Sequence, residues 1–241
     1  MASQLYTSDI IKACLTSNNE IEYIHIHQFE DSIPLQSRIE SLSPFEEKQV
    51  LSAIKTKELF SIPFWESLML TFNNNKNFSK RILDAVITHT KRKRERINKY
   101  DFISETENMI TMDINFAFNS EIITKSKKRL HLPLLDFYIS VSEENQKVVE
   151  CIIAALNMKN GYLLISGKSY HFIGSDLITR KELIIMLSSA LHFAPIIDKS
   201  WLAHQLFELS CSLRFTKKYG ILPSLIKIIG KPSELQKEAN S

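Results

Sequence analysis

The spacing of apolar and polar residues divides the chain into recognisable elements before any composition is considered. Residues 21–29 (Ile-Glu-Tyr-Ile-His-Ile-His-Gln-Phe) read as a strand. Residues 44–60 and 77–97 repeat apolar positions at helical spacing, with Pro63-Phe64-Trp65 interrupting an apolar region between them and Asn73-Asn74-Asn75 marking a loop. From about residue 108 the period becomes two. Residues 109–118 set Ile110, Met112, Ile114, Phe116 and Phe118 on one face and Thr111, Asp113 and Asn115 on the other. Residues 133–141 repeat this, with Leu135, Phe137, Ile139 and Val141 opposite Asp136, Tyr138 and Ser140. Ser142 reads as a helix N-cap with Glu143 and Glu144 in the first turn, followed by an apolar stripe of Val148, Val149, Ile152 and Leu156. Strands at 161–165 and 169–173 flank the turn Ser166-Gly167-Lys168. A helix over 179–193 ends before Pro195, and strands return near 211–216 and 223–229. The pattern predicts a sheet protein of the α/β or α+β class, with an organisational break at Asp101–Glu107: a helix-rich region over 1–105 and a sheet core over 106–241.

Composition narrows the class. With 241 residues, 44% of them hydrophobic, the chain can bury a sizeable core, which excludes a disordered tail or a collagen-like repeat. Five glycines and seven prolines leave little material for linkers. The longest apolar run, Cys151 to Leu156, is far below the roughly 18 residues of a membrane span. Met1-Ala2-Ser3-Gln4-Leu5 lacks the basic flank and apolar stretch of a secretory signal. Cys14, Cys151 and Cys211 are far apart and without CxxC spacing, so neither a disulfide framework nor a structural zinc site is expected. These features predict a soluble, cytoplasmic protein with no membrane partner.

The net charge of +3 is too small to announce nucleic-acid binding, but its distribution is uneven. Lys91-Arg92-Lys93-Arg94-Glu95-Arg96 reads as a helix end, where the macrodipole itself favours cations. Lys125-Ser126-Lys127-Lys128-Arg129 reads as a hairpin tip. Each is either a solvated end or an electrostatic footprint for phosphate.

Candidate chemistry centres on Ser169-Tyr170-His171. On a strand, Ser169 and His171 share one face while Tyr170 and Phe172 point inward. Gly167-Lys168-Ser169 resembles the end of a phosphate-binding P-loop, but position 162 is Tyr rather than the required Gly, and no helix follows; that reading is rejected. Asp136 lies on the polar side of an apolar strand, and Asp198 follows the apolar Pro195-Ile196-Ile197. His25 and His27 share a strand face without a nearby carboxylate in sequence and read as packing residues, as do Trp65, Trp201, Met158 and Met186.

The ordered set Leu135-Asp136-Phe137-Tyr138, Ser169-Tyr170-His171 and Ile197-Asp198, followed by basic Ser212-Leu213-Arg214-Phe215-Thr216-Lys217-Lys218, resembles the motif order of the archaeo-eukaryotic primase (primase-polymerase) superfamily. More narrowly, the pattern over 133–229, with Trp201 and His204, is similar to bacterial primase-like proteins. The resemblance implies a primase-polymerase core with a mixed or antiparallel sheet and flanking helices. It also implies nucleotidyl transfer on DNA or RNA from nucleoside triphosphates, with Mg²⁺ or Mn²⁺ held by carboxylates. It assigns metal to Asp136 and Asp198 and catalysis to Asp136, His171 and Asp198. Nucleotide contacts fall to Lys168, Ser169, His171 and Arg214, and nucleic-acid contacts to Lys217 and Lys218; Lys127, Lys128 and Arg129 are nucleic-acid candidates on their charge alone.

One departure bears on the chemistry. The second acidic position of the first motif is Tyr138, and a neutral phenol is a poor ligand for a hard cation. Asp113, in Asp113-Ile114-Asn115 on the preceding strand, either supplies the missing metal ligand or is itself the acidic motif. The alternative expectation is therefore a catalytically degenerate primase-like fold that binds nucleic acid, nucleotide or a protein partner within a larger system. A structural module with no nucleotide site is the third.

Overall fold

The structure, a computed structural model, describes residues 4–29, 35–62, 64–71, 80–87, 92–112, 114–217 and 220–231. In chain order its helices and strands are α1 (Thr7–Ser17), β1 (Ile21–Phe29), α2 (Leu35–Ile39), α3 (Pro44–Phe60), α4 (Phe64–Thr71), α5 (Lys80–Ile87), β2 (Arg92–Asn98), α6 (Lys99–Thr111), β3 (Asn115–Thr124), β4 (Arg129–His131), β5 (Leu134–Asp136), α7 (Glu143–Ala155), β6 (Gly161–Ser166), β7 (Ser169–Gly174), α8 (Arg180–Ala190), α9 (Lys199–Glu208), β8 (Ser212–Arg214) and β9 (Ser224–Ile229).

The expected α+β class holds. The chain forms two compact units, one of Met1–Gln28 with Lys93–Ser241 and one of Phe29–Arg92. The second is an insertion between β1 and β2, two strands that are neighbours in one sheet. A boundary at 105/106 would instead pass through the middle of α6. The insertion carries α2 to α5 around Ile39, Leu42, Val50, Ala53, Leu68 and Ile82. Its longest helix, α3, starts where the sequence says it should: Ser43 Oγ accepts from the Glu46 amide, the Glu46 carboxylate accepts from the Ser43 amide, and Pro44 fills the first turn.

The larger unit holds two antiparallel sheets. One runs β2-β1-β3-β4, with β8 also pairing β3; the other runs β5-β7-β6-β9. The chain passes from one sheet to the other between β4 and β5, through Leu132-Pro133, and the predicted strand over 133–141 starts at this crossing and supplies β5. Its predicted faces hold at Leu135 and Phe137, which are buried, and at Tyr138, which is exposed, but Val141, expected on the apolar side, is exposed. Beyond an isolated bridge at Phe137, however, the strand stops short of residue 141.

Three expectations need correcting. Within the predicted helix over 77–97, the described residues form α5 and strand β2, so Arg92 to Arg96 of the first basic cluster lie on an edge strand rather than a helix end; residues 77–79 and 88–91 lie outside the described residues. Charged side chains suit an edge, where they deter pairing with other chains. The predicted strand over 109–118 begins only at Asn115; Ile110 lies in the last turn of α6 and Met112 is its exposed cap. Asn98 caps α6 and Phe102, Thr106 and Met109 form its buried stripe, a helical period overlapped by the alternation that follows. Finally, α9 occupies 199–208, which the sequence reading left without an element.

Candidate functional site

The row of predicted site residues assembles across β5 and its neighbours. Asp136 on β5 is in antiparallel register with His171 on β7, and His171 Nε2 lies 3.4 Å from Asp136 Oδ1. On the other side of β5, Phe137 bridges Ile197, the Asp198 amide donates to the Asp136 carbonyl at 3.1 Å, and the Tyr138 amide donates to the Ile196 carbonyl at 2.7 Å. His171, Asp136 and Asp198 therefore stand side by side across three adjacent segments, despite long separations in sequence. Residues in register on neighbouring strands share a face. Tyr138, two residues beyond Asp136, joins that face level with Ser169.

The local sequence explains the placement. Tyr170 and Phe172, the alternate residues of β7, are fully buried, which turns His171 and Ser169 to the other side. The Tyr170 hydroxyl donates to the Ser142 carbonyl and accepts from the Ser142 amide, each at 2.9 Å, tying the strand to the N-cap of α7. Ser142 Oγ accepts from the Asn145 amide, as expected of a cap. Gly167 and Lys168 form a two-residue connection between β6 and β7, with Ser166 opposite Ser169. Gly167 has φ +70°, which suits glycine at the first central position of a type II′ turn. Lys168 stands exposed at the tip.

Exposure separates the members of the row. The His171 side chain is 7% exposed and Asp136 28%, so solvent reaches the carboxylate rather than the ring. Buried His171 Nδ1 has no hydrogen-bond partner. Tyr138 is 73% exposed and points its phenol into solvent. Asp198 serves as the N-cap of α9, its Oδ1 accepting from the Trp201 amide at 2.9 Å. Trp201 packs against the core and donates its indole N–H to the Ser212 carbonyl at 3.0 Å, anchoring α9 to β8.

The other predicted contacts are distributed elsewhere. Arg214 sits on β8, opposite Ala117, in the five-stranded sheet rather than the sheet carrying His171. Lys217 lines a cavity of about 210 Å³ with Ile110, Thr111, Met112, Ile114 and Asn115. Lys127, Lys128 and Arg129 lie at the β3–β4 turn, as expected of a hairpin tip. Asp113 and Lys218 lie outside the described residues.

A divalent ion with octahedral oxygen preference needs converging carboxylates. Among the described residues no three His, Cys, Asp or Glu side chains gather as a metal-holding group. Asp136 faces an imidazole, Asp198 caps a helix and the second acidic position is a phenol. Among the described residues, which do not include Asp113, this donor set does not fit a two-metal centre.

Several polar groups that the sequence gave no reason to join meet instead in the five-stranded sheet, away from this row. Glu121 receives Arg94 at 2.9 Å and has Arg129 at 4.0 Å and His25 Nδ1 at 3.6 Å. His27 Nδ1 meets Ser212 Oγ, which also accepts from Asn119. His131 Nδ1 meets Ser120 Oγ, which accepts from the Cys211 amide. Burial pushes the Cys14 thiol up to about 12 and raises Cys211 as well, while Cys151 is exposed.

An α+β core that aligns an aspartate, a histidine and a second aspartate across adjacent strands is consistent with a primase-type protein. The chain belongs to the archaeo-eukaryotic primase family: the family model described as archaeo-eukaryotic primase 1D-like (AEP-like) matches residues 98–224, more than half of its length. The match runs from the cap of α6 to the first residue of β9, and so contains the whole row. No curated protein and no solved structure matches the chain. No helix among the described residues is long and apolar enough to cross a membrane.

Proposed function

We propose that this protein is a primase-family module that binds nucleotide phosphate and nucleic acid without the two-metal centre of a polymerase. The observation that carries the reading is the row itself: the motif residues meet, but as one solvent-reached carboxylate beside an imidazole. In this reading Ser169 and His171 position the nucleotide and Lys168 supplies a point charge to its phosphates from the β6–β7 turn. Asp136 orients the imidazole; Asp198 fixes the start of α9 and the backbone of β5. Tyr138 takes the place of the second carboxylate.

Buried His171 Nδ1 supports a functional role. An unmatched buried polar atom costs about 1–3 kcal/mol, and such atoms persist where activity requires the side chain. The test is equilibrium binding of a labelled nucleoside triphosphate, with and without Mg²⁺ or Mn²⁺, to wild type, Lys168→Ala and His171→Ala. Binding that is weakened at least about tenfold in both variants, a loss of ~1.4 kcal/mol, is the expected result. Equal binding by all three proteins would refute it.

A second reading, nucleotidyl transfer on DNA or RNA, is favoured by the order in which Asp136, His171 and Asp198 fall into line. Primed and unprimed templates incubated with nucleotides and Mg²⁺ or Mn²⁺ distinguish the two. Extension that disappears in Asp136→Ala and Asp198→Ala establishes transfer; the absence of extension alongside nucleotide binding establishes the module.

A further inference from the structure

We infer that the five-stranded sheet carries a separate phosphate-backbone site, built from edge strand β2 and the β3–β4 turn around Tyr23; this rests on the proposal that the protein engages nucleic acid. The two basic clusters, about thirty residues apart in sequence, come together here. The Arg96 guanidinium lies 4.8 Å from the centre of the Tyr23 ring and Lys127 Nζ lies 5.5 Å from it. Arg94 and Arg129 approach the same Glu121 carboxylate, at 2.9 and 4.0 Å. Arg94 and Arg96 are two residues apart on a strand, so they share a face and recur at roughly 6.6–6.8 Å.

Charge on this face is unbalanced. Four cations, Arg94, Arg96, Lys127 and Arg129, face two carboxylates, Glu121 and Glu22, the latter 2.6 Å from Lys127. Glu121 is mostly buried and shared, whereas Arg129 is 74% and Lys127 67% exposed. Neighbouring His25 adds no counter-charge. Lys125 and Lys128, both exposed on the same turn, add to the positive field. Deterring strand-to-strand pairing would explain charges on β2 alone. It does not explain their convergence with the turn on one aromatic ring, a combination suited to a polyanion with bases. The occupant is the phosphate backbone of a nucleic-acid strand, read by charge rather than sequence.

The experiment measures binding of a labelled oligonucleotide across a salt series. It compares wild type with Arg96→Gln/Lys127→Gln/Arg129→Gln and with a charge-matched control, Lys48→Gln/Lys55→Gln/Lys57→Gln, on exposed positions of α3. The patch variant is expected to bind about tenfold or more weakly, with the slope of log K against log salt reduced by about 2. The control should match wild type, and circular dichroism should report the same fold for all. Equal losses in patch and control variants, or a slope unchanged by the patch variant, overturn the inference while leaving nucleic-acid binding intact. Failure of wild type to bind the oligonucleotide overturns both, as does retention by anionic vesicles alone.

Discussion

His171 is where local sequence and function pull in opposite directions. Its strand neighbours are fully buried, and its own Nδ1 is buried without a partner. Replacing an unsatisfied polar side chain by an apolar one of similar size relieves that cost. His171→Leu is therefore expected to raise stability by about 1 kcal/mol, or about 2–4 °C in Tm, while abolishing nucleotide binding. Thermal unfolding checks this, and a lower Tm would mark the imidazole as structural instead. The Ser-x-His pair was legible because strand period assigns its face without knowledge of the fold. Its carboxylate neighbour was legible only as a candidate, since nothing local says which strand lies beside β7. Glu121, which organises Arg94, Arg129 and His25, was not legible at all. Those partners belong to three different strands, and nothing in a run of residues announces a meeting between them.

At the scale of elements, caps and turns did most to make the chain readable. Ser43, Ser142, Thr179 and Asp198 each accept a backbone amide from the first turn of a helix. The 44–60 helix and the 21–29 strand have the bounds expected from pattern alone. Where two periods overlap, pattern failed: Ile110 and Met112 continue the alternation of β3 but belong to the end of α6. The β6–β7 hairpin is held more tightly than its sequence suggests. A Cβ at Gly161 would lie 2.5 Å from the Ile173 carbonyl oxygen and as close to the Phe172 ring. Gly161→Ala is thus expected to cost about 1–3 kcal/mol through overpacking, read from urea denaturation. An effect below a few tenths would mean that the two strands yield easily.

For the molecule as a whole, buried polar groups link stability to pH. Burial is the chief cause that lowers the pKa of both His25 and His131 below the ordinary value of 6.5; the positive charge of Arg94 acts in the same direction, and Glu121 opposes it. Both rings are held neutral in the fold, so below pH 6.5 the unfolded chain takes up more protons than the folded one and stability falls. Urea midpoints are expected to decline from pH 7.5 to 5.5, and His25→Asn/His131→Asn should flatten that part of the profile. A profile just as steep in the double variant would assign the loss to other groups. By itself the sequence determined a mixed sheet-and-helix class, most strands, the Ser142 cap, the strand faces of Ser169, His171 and Asp136, and the order of the family's motifs. All of these depend on residues within a turn or two of one another. Tertiary structure alone decided that residues 29–92 interrupt a sheet, that Asp136 stands between His171 and Asp198, and that two distant basic runs share one ring. Such pairings are set by which strands bury their apolar faces together, a choice made by the whole chain at once.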